Sequence, residues 1–267
     1  MRGSAEKFAD HYTQARLFWH SQTPVEQQHI VNAFRFELSR VQTPAVRERM
    51  ISGLRNVAPE LAEPVANGLG MRVLPEPMPK ARPEDVRPEV TTSTSLSLFA
   101  RPGDGGIRTR RVAVLVADGC DAAPLRALVT RLTAEGAVAR FVAGRLGTVD
   151  TTSGDPIEAD VSFEATPSVL YDAVVIAGGE AAVVALAGDG HAKEFVKDQY
   201  RHCKPILAID DGVDLLTAAG IPLTLPSGDP DPGLIRSATD GAALVDAFVA
   251  ALAKHRHFAR ETNPPRV

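Results

Sequence analysis

Three short runs of apolar, mostly β-branched residues constrain this chain more than any other feature: residues 112–116, 173–176 and 206–209. Each run is apolar throughout, as in strands that helices cover on both faces, and each precedes a short loop that contains Gly and an acidic residue. Strands of this kind pair in parallel and require long crossover connections. The runs therefore predict a doubly wound α/β domain over residues 110–257.

The segments between these runs supply the other elements of such a domain. Residues 122–135 predict a helix closed by Gly136, and residues 138–142 predict a second strand. A hairpin is expected around residues 153–156, whose sequence is Ser-Gly-Asp-Pro. A last helix is predicted over residues 241–255, because apolar side chains recur there at helical spacing.

Residues 1–71 predict a small helical segment instead. Residues 23–24 and 43–44 are both Thr-Pro, which places a capping hydroxyl before a proline suited to the first helical position. Helices are expected to begin at both. A third, shorter helix is expected to begin at Pro59, to be interrupted at Pro64 and to end with a left-handed residue at Gly68.

Large apolar side chains cluster near the N-terminus of this segment: Phe8, Tyr12, Leu17, Phe18 and Trp19. Short helices need a partner surface, since isolated helices of this length are marginally stable in water. The cluster is expected to pack against another domain or subunit, and a platform that stacks a ligand is the alternative.

Residues 72–109 contain six prolines and a Thr/Ser-rich tract, a composition that resists both helix and sheet. They predict an extended linker that lies along a surface. Three apolar side chains are candidate anchors: Leu96, Leu98 and Phe99. At the other end, residues 258–267 are interpreted as a tail, with His255 and His257 solvated beside it.

The overall charge excludes some classes of protein. A formal net charge of −4 gives no general basic field, so nucleic acid is not an expected partner. No apolar run has the length that a membrane span needs. The two cysteines, Cys120 and Cys203, cannot form a disulfide framework, which favours a reducing, cytoplasmic location.

Ligands bind open α/β sheets beyond the carboxyl ends of the strands, so the loops there are the candidate sites. Residues 117–121 follow the first strand but lack the Gly-x-Gly-x-x-Gly spacing of a dinucleotide site. They also lack hydroxyl groups for a flavin phosphate. Nucleotide and FMN binding are therefore not expected.

Residues 204–212 form a predicted strand, sharp turn and helix start, which is the arrangement of a nucleophile elbow. Asp210 occupies the raised position, followed by Asp211 and Gly212, and the amides of Gly178 and Gly179 are placed where an oxyanion hole would form. Residues 110–257 resemble the PfpI-like branch of the glutamine amidotransferase-like superfamily, whose fold is flavodoxin-like.

That resemblance implies a reactive Cys at the elbow and an acidic partner after the first strand. In this sequence the Cys position is Asp210 and the acidic position falls near Pro124. A carboxylate is a weak nucleophile toward amides, and no His follows closely as a base. The catalytic machinery of that branch is therefore expected to be missing.

Other candidates have weaker support. Cys120 lies in the right region, but Asp118 and Asp121 would raise the pKa of its thiol. Cys203 precedes a strand at the end opposite the expected site. Three carboxylates near the elbow, Asp210, Asp211 and Asp214, are a candidate Mg²⁺ site, with a solvated acidic loop as the favoured interpretation. The histidines at positions 11, 20 and 29 do not have the spacing of metal ligands on one helix.

The N-terminal stretch has a resemblance of its own. Residues 7–19, 21–27 and 33–38 are similar to the helical region of haem catalases, and the order of helical segment, Pro-rich linker and PfpI-like module resembles large-subunit catalases. The resemblance implies a tetrameric haem enzyme that disproportionates hydrogen peroxide, with the haem in an upstream β-barrel. Its C-terminal module is implied to be non-catalytic, with roles in stability, subunit packing, restriction of the channel mouth and a proposed chaperone-like activity.

The haem-binding residues that the resemblance implies are missing from this sequence. The proximal Tyr of such enzymes stands in an Arg-x-Phe-x-Tyr context, whereas Tyr12, Tyr171 and Tyr200 follow Asp-His, Val-Leu and Asp-Gln. We therefore expect the C-terminal part of a large-subunit catalase, without haem or metal of its own. Its expected partners are the catalase core and other subunits, and unfolded client proteins if it acts as a holdase.

Two other functions remain open. The first is a PfpI-type hydrolase or glyoxalase-like enzyme that uses Cys120 or Asp210. The second is haem-dependent catalase activity within this chain, which the missing haem contexts argue against.

Overall fold

The computed structural model describes residues 6–82, 87–100, 105–236 and 241–267, and the chain divides into two units, Met1–Pro102 and Gly103–Val267. The first unit is helical and the second is built on a sheet. Four α-helices are described in the first unit: α1 Thr13–His20, α2 Pro24–Ser39, α3 Pro44–Leu54 and α4 Pro59–Gly68. Their buried faces form one apolar core around Ile51, Ala62 and Val65.

The predicted helix starts at Pro24 and Pro44 are confirmed. At the first of these, the Thr23 backbone amide donates to Glu26 Oε2 at 2.8 Å while the Glu26 amide donates to Thr23 Oγ1 at 3.4 Å. Two helix-terminal amides thereby gain acceptors, which is the reciprocal arrangement of a capping box.

The helix α4 begins at Pro59 and ends at Gly68 as expected, but two other expectations about it are wrong. The helix continues through Pro64 and does not break there. Pro64 leaves the carbonyl of Glu60 without its helical donor, but Glu60 is exposed and water can replace the bond. The left-handed residue is Gly70, with φ +73°, and not Gly68, because the Met71 amide reaches back to the Ala66 carbonyl at 3.1 Å.

The segment 87–100 is held to this helical unit by hydrogen bonds and not by the apolar side chains proposed as anchors. The Ser93 amide donates to Ser21 Oγ at 2.8 Å, and the Leu98 amide donates to Glu26 Oε1 at 2.6 Å. Although burial opposes it, hydrogen bonds from the backbone amides of Thr23 and Leu98 hold the pKa of Glu26 below its usual range. The three proposed anchors are 40–73% exposed: Leu96, Leu98 and Phe99.

The second unit contains a six-stranded, fully parallel sheet in the order β5-β2-β1-β6-β7-β8. Its strands are β1 Arg111–Leu115, β2 Val138–Ala143, β5 Val161–Ser162, β6 Ala173–Ile176, β7 Ile206–Ala208 and β8 Leu234–Arg236. Without the short edge strand β5, this is the 2-1-3-4-5 order of flavodoxin-like folds. The predicted fold class is confirmed. The predicted hairpin is also present, as β3 Gly147–Val149 paired antiparallel with β4 Ile157–Ala159.

Five helices of the described chain cover the two faces of this sheet: α5 Ala122–Ala134, α6 Glu180–Gly188, α7 Gly190–Arg201, α8 Val213–Ala218 and α9 Gly241–Ala253. Val112 and Val114 of β1 pack with α5 and α9, whereas Ala113 and Leu115 pack with α7 and α8. Successive strand residues point to opposite faces, so an unbroken apolar run serves two cores at once. Within the described residues, no helix is both long and apolar enough to cross a membrane.

The end of the chain packs against the amino-terminal edge of the sheet. His257 is 6% exposed, and its amide donates to the Cys203 carbonyl at 2.8 Å. Arg260 is 3% exposed and donates through Nε to Asp231 Oδ2 at 2.6 Å. The interpretation of His257 as a solvated residue is therefore wrong, because it and Arg260 complete the packing beneath β7 and β8. His255 remains partly exposed.

Candidate functional site

The loops that follow β1, β6 and β7 meet at the carboxyl edge of the sheet, where the sequence placed its candidate residues. Asp210 stands between β7 and α8 with φ +45°, a left-handed conformation that is uncommon for a residue other than Gly. This is the backbone arrangement expected for the raised position of an elbow. The sheet therefore presents Asp210 where a nucleophile would stand.

Two glycines show how tightly this elbow fits against β6. A Cβ atom on Gly212 would lie 3.0 Å from the Ile176 carbonyl oxygen, so the turn requires a residue without a side chain. A Cβ atom on Gly178 would lie 3.4 Å from Asp210 Cβ and 3.5 Å from its Oδ2. The structure thus brings together Asp210 and Gly178, which the sequence assigned to one site.

Backbone contacts fill the crevice between β1 and β6. The chain leaves these two neighbouring strands toward opposite faces of the sheet, through α5 after β1 and α6 after β6. Gly179 has φ +108°, and a Cβ atom there would meet the carbonyl oxygen of Gly119 and lie 3.1 Å from Cys120 Cα. The Asp121 amide donates to the Gly178 carbonyl at 3.1 Å. In open α/β sheets this switch point is the usual ligand crevice. Here two loops in direct contact occupy it.

Cys120 is fully buried in this contact. Burial raises the pKa of its thiol, and the charges of Asp121 and Asp118 raise it further. The thiolate is the reactive form of cysteine. At neutral pH Cys120 is therefore a protonated, inaccessible thiol.

Cys203 lies at the opposite, amino-terminal edge, directly before β7, with φ +58°. Burial, followed by the charge of Glu261, raises the pKa of its thiol to about 12. Arg256 and Arg260 lower the pKa of this thiol, but the effect of burial is larger.

The remaining candidates are dispersed. Among the described residues, no group of three or more His, Cys, Asp or Glu side chains could hold a metal ion, and this includes the carboxylates around Asp210 and Asp214. Tyr171 is buried in the α/β unit with its hydroxyl 3.1 Å from Thr166 Oγ1, and Tyr200 is buried below the Arg260 guanidinium. His11 and His20 are exposed in the helical unit.

Two depressions at the carboxyl edge complete the candidate site. The one beside the elbow measures about 480 Å³ and is lined by Asp210, Val213, Leu234 and Arg236. The other measures about 280 Å³ and lies beyond β1 and β2. Its charged residues Asp118, Arg145 and Asp189 were not brought together by sequence reasoning. Asp118 and Arg145 follow strands and Asp189 precedes a helix, and these positions could have suggested a shared site. The sequence does not show, however, that α7 begins close to the end of β2.

Comparison with protein families assigns both units. Residues 5–69 match the family described as catalase-related immune-responsive, and residues 108–262 match the family described as the C-terminal domain found in long catalases. The second match spans more than half of the 267 residues. The chain belongs to the family of C-terminal domains found in long catalases. The resemblance to large-subunit catalases inferred from the sequence is confirmed.

Individual relatives of this long-catalase C-terminal domain agree with that assignment. Catalase C of Rhizobium meliloti is 39% identical over 261 residues, which cover 98% of this chain and 36% of the relative. Catalase HPII of Mycobacterium avium is 40% identical over 267 residues, covering 97% and 37%. Catalase-2 of Bacillus subtilis is 34% identical over 265 residues, covering 97% and 35%. The chain thus spans little more than a third of the length of these relatives.

Proposed function

We propose that this chain is a non-catalytic structural region of a long catalase whose overall reaction is the disproportionation of hydrogen peroxide to water and oxygen. The observation that supports this most strongly is the elbow itself, which presents the carboxylate of Asp210 above Gly178 in place of a thiol. A carboxylate cannot form the thioester or thiohemiacetal of a cysteine enzyme. The backbone contact between Gly119 and Gly179 also occupies the crevice that a substrate would need.

The proposal predicts that the isolated chain does not release oxygen from hydrogen peroxide, with or without added haem. An oxygen electrode measures the release, and a haem titration followed in the Soret region measures binding. Oxygen release above the level of free haem, or saturable uptake of one haem per chain, would refute the non-catalytic role.

The PfpI-type alternative is tested separately through its thiol. The burial and raised pKa of Cys120 argue against it. Iodoacetamide at pH 7.5 should label native wild-type protein and the Cys120→Ser variant equally slowly, with rapid labelling only in denaturant. Fast labelling that Cys120→Ser abolishes, together with turnover of methylglyoxal or a peptide amide, would favour the alternative.

The helical unit supports a role in assembly. Large apolar side chains are exposed on it, from 42% to 75%: Phe8, Phe18, Phe36, Val46 and Met50. Exposed apolar side chains are available for contact with another protein surface. We assign it to contacts with the catalase core and with other subunits of a homo-oligomer, the two partners that the parent enzyme supplies.

A holdase activity would use the same exposed side chains. The chain should then reduce light scattering by heat-denatured malate dehydrogenase, and the double variant Phe18→Ser/Phe36→Ser should lose most of that effect. Val169→Ser is a matched control, since Val169 is 70% exposed on the other unit. An unchanged effect in the double variant, or no effect in wild type, would remove the chaperone role while leaving the structural role intact.

We also infer a reducing, cytoplasmic location from the two free and buried thiols of Cys120 and Cys203. Cell fractionation tests this, and recovery of the protein in an extracytoplasmic fraction would refute it.

A further inference from the structure

The depression beyond β1 and β2, called the cavity below, combines apolar lining residues with charged ones at its rim. It measures about 280 Å³, close to the lower end of the usual range of ligand pockets. It lies at the carboxyl edge of the sheet, the edge at which parallel α/β domains bind ligands. It shares no lining residue with the depression beside Asp210.

The interior of this cavity is apolar. Side chains from both strands, the hairpin, the segment after β5 and the end of α6 line it: Val116, Ala143, Val149, Phe163, Ala185 and Leu186. Most of them are buried parts of the two cores, so the walls are fixed by packing on the sheet. Such walls hold water poorly, and a hydrocarbon or aromatic group that displaces it gains binding free energy.

The mouth of the cavity carries two carboxylates and one guanidinium. Arg145 lies 3.4 Å from Asp118 Oδ2, and Asp118 Oδ1 accepts the Asp150 amide at 2.9 Å. The positive group is thus already paired with one of the two carboxylates. Asp189 supplies the second carboxylate and makes the formal charge of the mouth negative.

Asp189 lines the cavity, and hydrogen bonds hold its carboxylate in place there. Its Oδ1 accepts the amides of His191 and Ala192 at 2.7 and 3.4 Å and thereby caps α7. Its Oδ2 is directed toward Gly144, where a Cβ atom would lie 3.6 Å from it. Helix capping therefore fixes the orientation of a carboxylate oxygen at the mouth.

From this geometry we propose that the cavity binds a small organic ammonium ion, with its hydrocarbon or aromatic body against the apolar walls and its nitrogen at Asp189. An anion of the same shape meets a net negative mouth, and a neutral molecule gains only the apolar contacts. The site differs from the structural role proposed above and does not depend on it.

Three probes of nearly equal shape test the charge preference in the 267-residue chain: 2-phenylethylammonium chloride, 2-phenylethanol and sodium 3-phenylpropionate. Binding is measured by ¹H–¹⁵N chemical-shift titration, with calorimetry where heats allow. We expect saturable binding of the ammonium ion at millimolar concentration or below, at least tenfold tighter than the alcohol, and no saturable binding of the carboxylate. Shifts should centre on residues 116–118, 143–145 and 185–189.

Two substitutions locate the site. Asp189→Asn removes the charge and retains a good capping residue, so α7 should persist while the affinity for the ammonium ion falls about tenfold and the affinity for the alcohol stays the same. Gly144→Leu fills the mouth at a position with ordinary φ and should abolish binding of all three probes. Asp246→Asn, which removes an exposed carboxylate on α9, should bind like wild type.

Several results would overturn the proposal. The first is no saturable binding of the ammonium ion at concentrations up to about 20 mM. The second is equal affinity for the ammonium ion and the alcohol. The third is an unchanged affinity for the ammonium ion in Asp189→Asn while α7 is intact. If Asp189→Asn disturbs the fold, Gly144→Leu decides alone, and continued binding in that variant refutes the site.

Discussion

The two edges of the sheet differ in how exposed their charged side chains are. At the amino-terminal edge, the paired side chains of Arg260 and Asp231 are 1% and 0% exposed. At the carboxyl edge, the paired side chains of Arg145 and Asp118 are 65% and 56% exposed. Catalytic α/β domains concentrate perturbed, partly buried ionisable groups at the carboxyl edge. Apart from the buried thiol of Cys120, the buried groups with shifted pKa values in this domain lie at the other edge, among them Cys203, Lys204 and His257.

The difference shows what the buried charges do here. Lys204, buried at the amino-terminal edge, donates from Nζ to the carbonyls of Ser168 and Tyr171 at 3.2 and 2.5 Å. Arg260 donates to the Lys204 carbonyl at 2.6 Å. These groups tie the end of the chain and the loop before β6 to the start of β7. The network fastens chain segments together, and the lowered pKa of Lys204 within it follows from burial of its amine among backbone carbonyls.

The largest expected effect comes from breaking the buried ion pair. Arg260→Met should lower the free energy of unfolding by about 3–5 kcal/mol, because Asp231 would remain buried without its partner. Urea unfolding followed by circular dichroism measures the change. Arg140→Met is the matched control, since its pair with Asp160 is exposed and should contribute about 0–1 kcal/mol.

Equal, small losses in the two arginine variants would show that the end of the chain separates from the sheet before global unfolding. The comparison between the edges would then fail, since the buried pair would not stabilise the core. Adding Asp231→Asn to Arg260→Met should recover part of the loss, because the uncompensated charge is removed.

The next effect concerns the closed crevice of the carboxyl edge. Gly179→Ala should lower the free energy of unfolding by about 2–4 kcal/mol, since φ +108° disfavours a side chain and the new Cβ meets the Gly119 carbonyl. Gly188→Ala is the control, with ordinary φ and nothing within 4 Å, and should be neutral or slightly stabilising. A neutral Gly179→Ala would mean that the two loops separate easily and that the crevice can open to a ligand.

The sequence predicted the sheet because its strands are buried on both faces and their side chains are apolar without interruption. It did not predict β8, since three residues give no pattern that distinguishes a strand. Helix starts at Pro24 and Pro44 were predictable from local chemistry, and the left-handed turn at Gly70 after α4 was not. Gly68 and Gly70 can both adopt a left-handed conformation, so the sequence does not distinguish them. In the folded chain it is Gly70 that turns and lets the Met71 amide bond to the Ala66 carbonyl.

The candidate site was predictable where it depends on strand order and unpredictable where it depends on packing. The placement of Asp210 beside Gly178 follows from two adjacent parallel strands, which the pattern contained. The docking of His257 and Arg260 does not, because a polar, charged segment has the composition of a solvated tail. Its burial becomes favourable through partners that only the folded chain supplies, above all Asp231 and the Lys204 carbonyl.

The third prediction uses the pH dependence of the buried lysine. Burial, followed by the charge of Arg256, lowers the pKa of Lys204 from 10.5 to about 8. Between these two pH values the unfolded chain binds a proton that the folded chain does not, so stability from this group rises with pH. Relative to Lys204→Met, wild type should gain about 2 kcal/mol of unfolding free energy between pH 7 and 10.

The unfolding free energy of wild type must be measured relative to that of Lys204→Met at each pH. Other buried groups titrate in the same pH range, and their effect on stability is opposite to that of Lys204. The raised pKa values of Cys203 and Tyr200 make both proteins less stable at high pH. Lys254→Met, at an exposed lysine, should follow wild type at every pH. A constant difference between wild type and Lys204→Met would show that water reaches the amine and that the amino-terminal edge is not dry.

The smallest effect is expected from the exposed charges of the carboxyl edge. A double-mutant cycle with Arg145→Ala and Asp118→Asn should give a coupling free energy below about 1 kcal/mol, because both side chains are exposed to solvent. In 1 M NaCl, where charges are screened beyond about 3 Å, the coupling should vanish, whereas the loss in Arg260→Met should persist since its pair excludes salt. A coupling above about 2 kcal/mol that survives salt would place a dry ion pair at the mouth of the cavity. Both edges would then contain an ion pair shielded from water. The difference in exposure could no longer be used to assign a structural role to one edge and a binding role to the other.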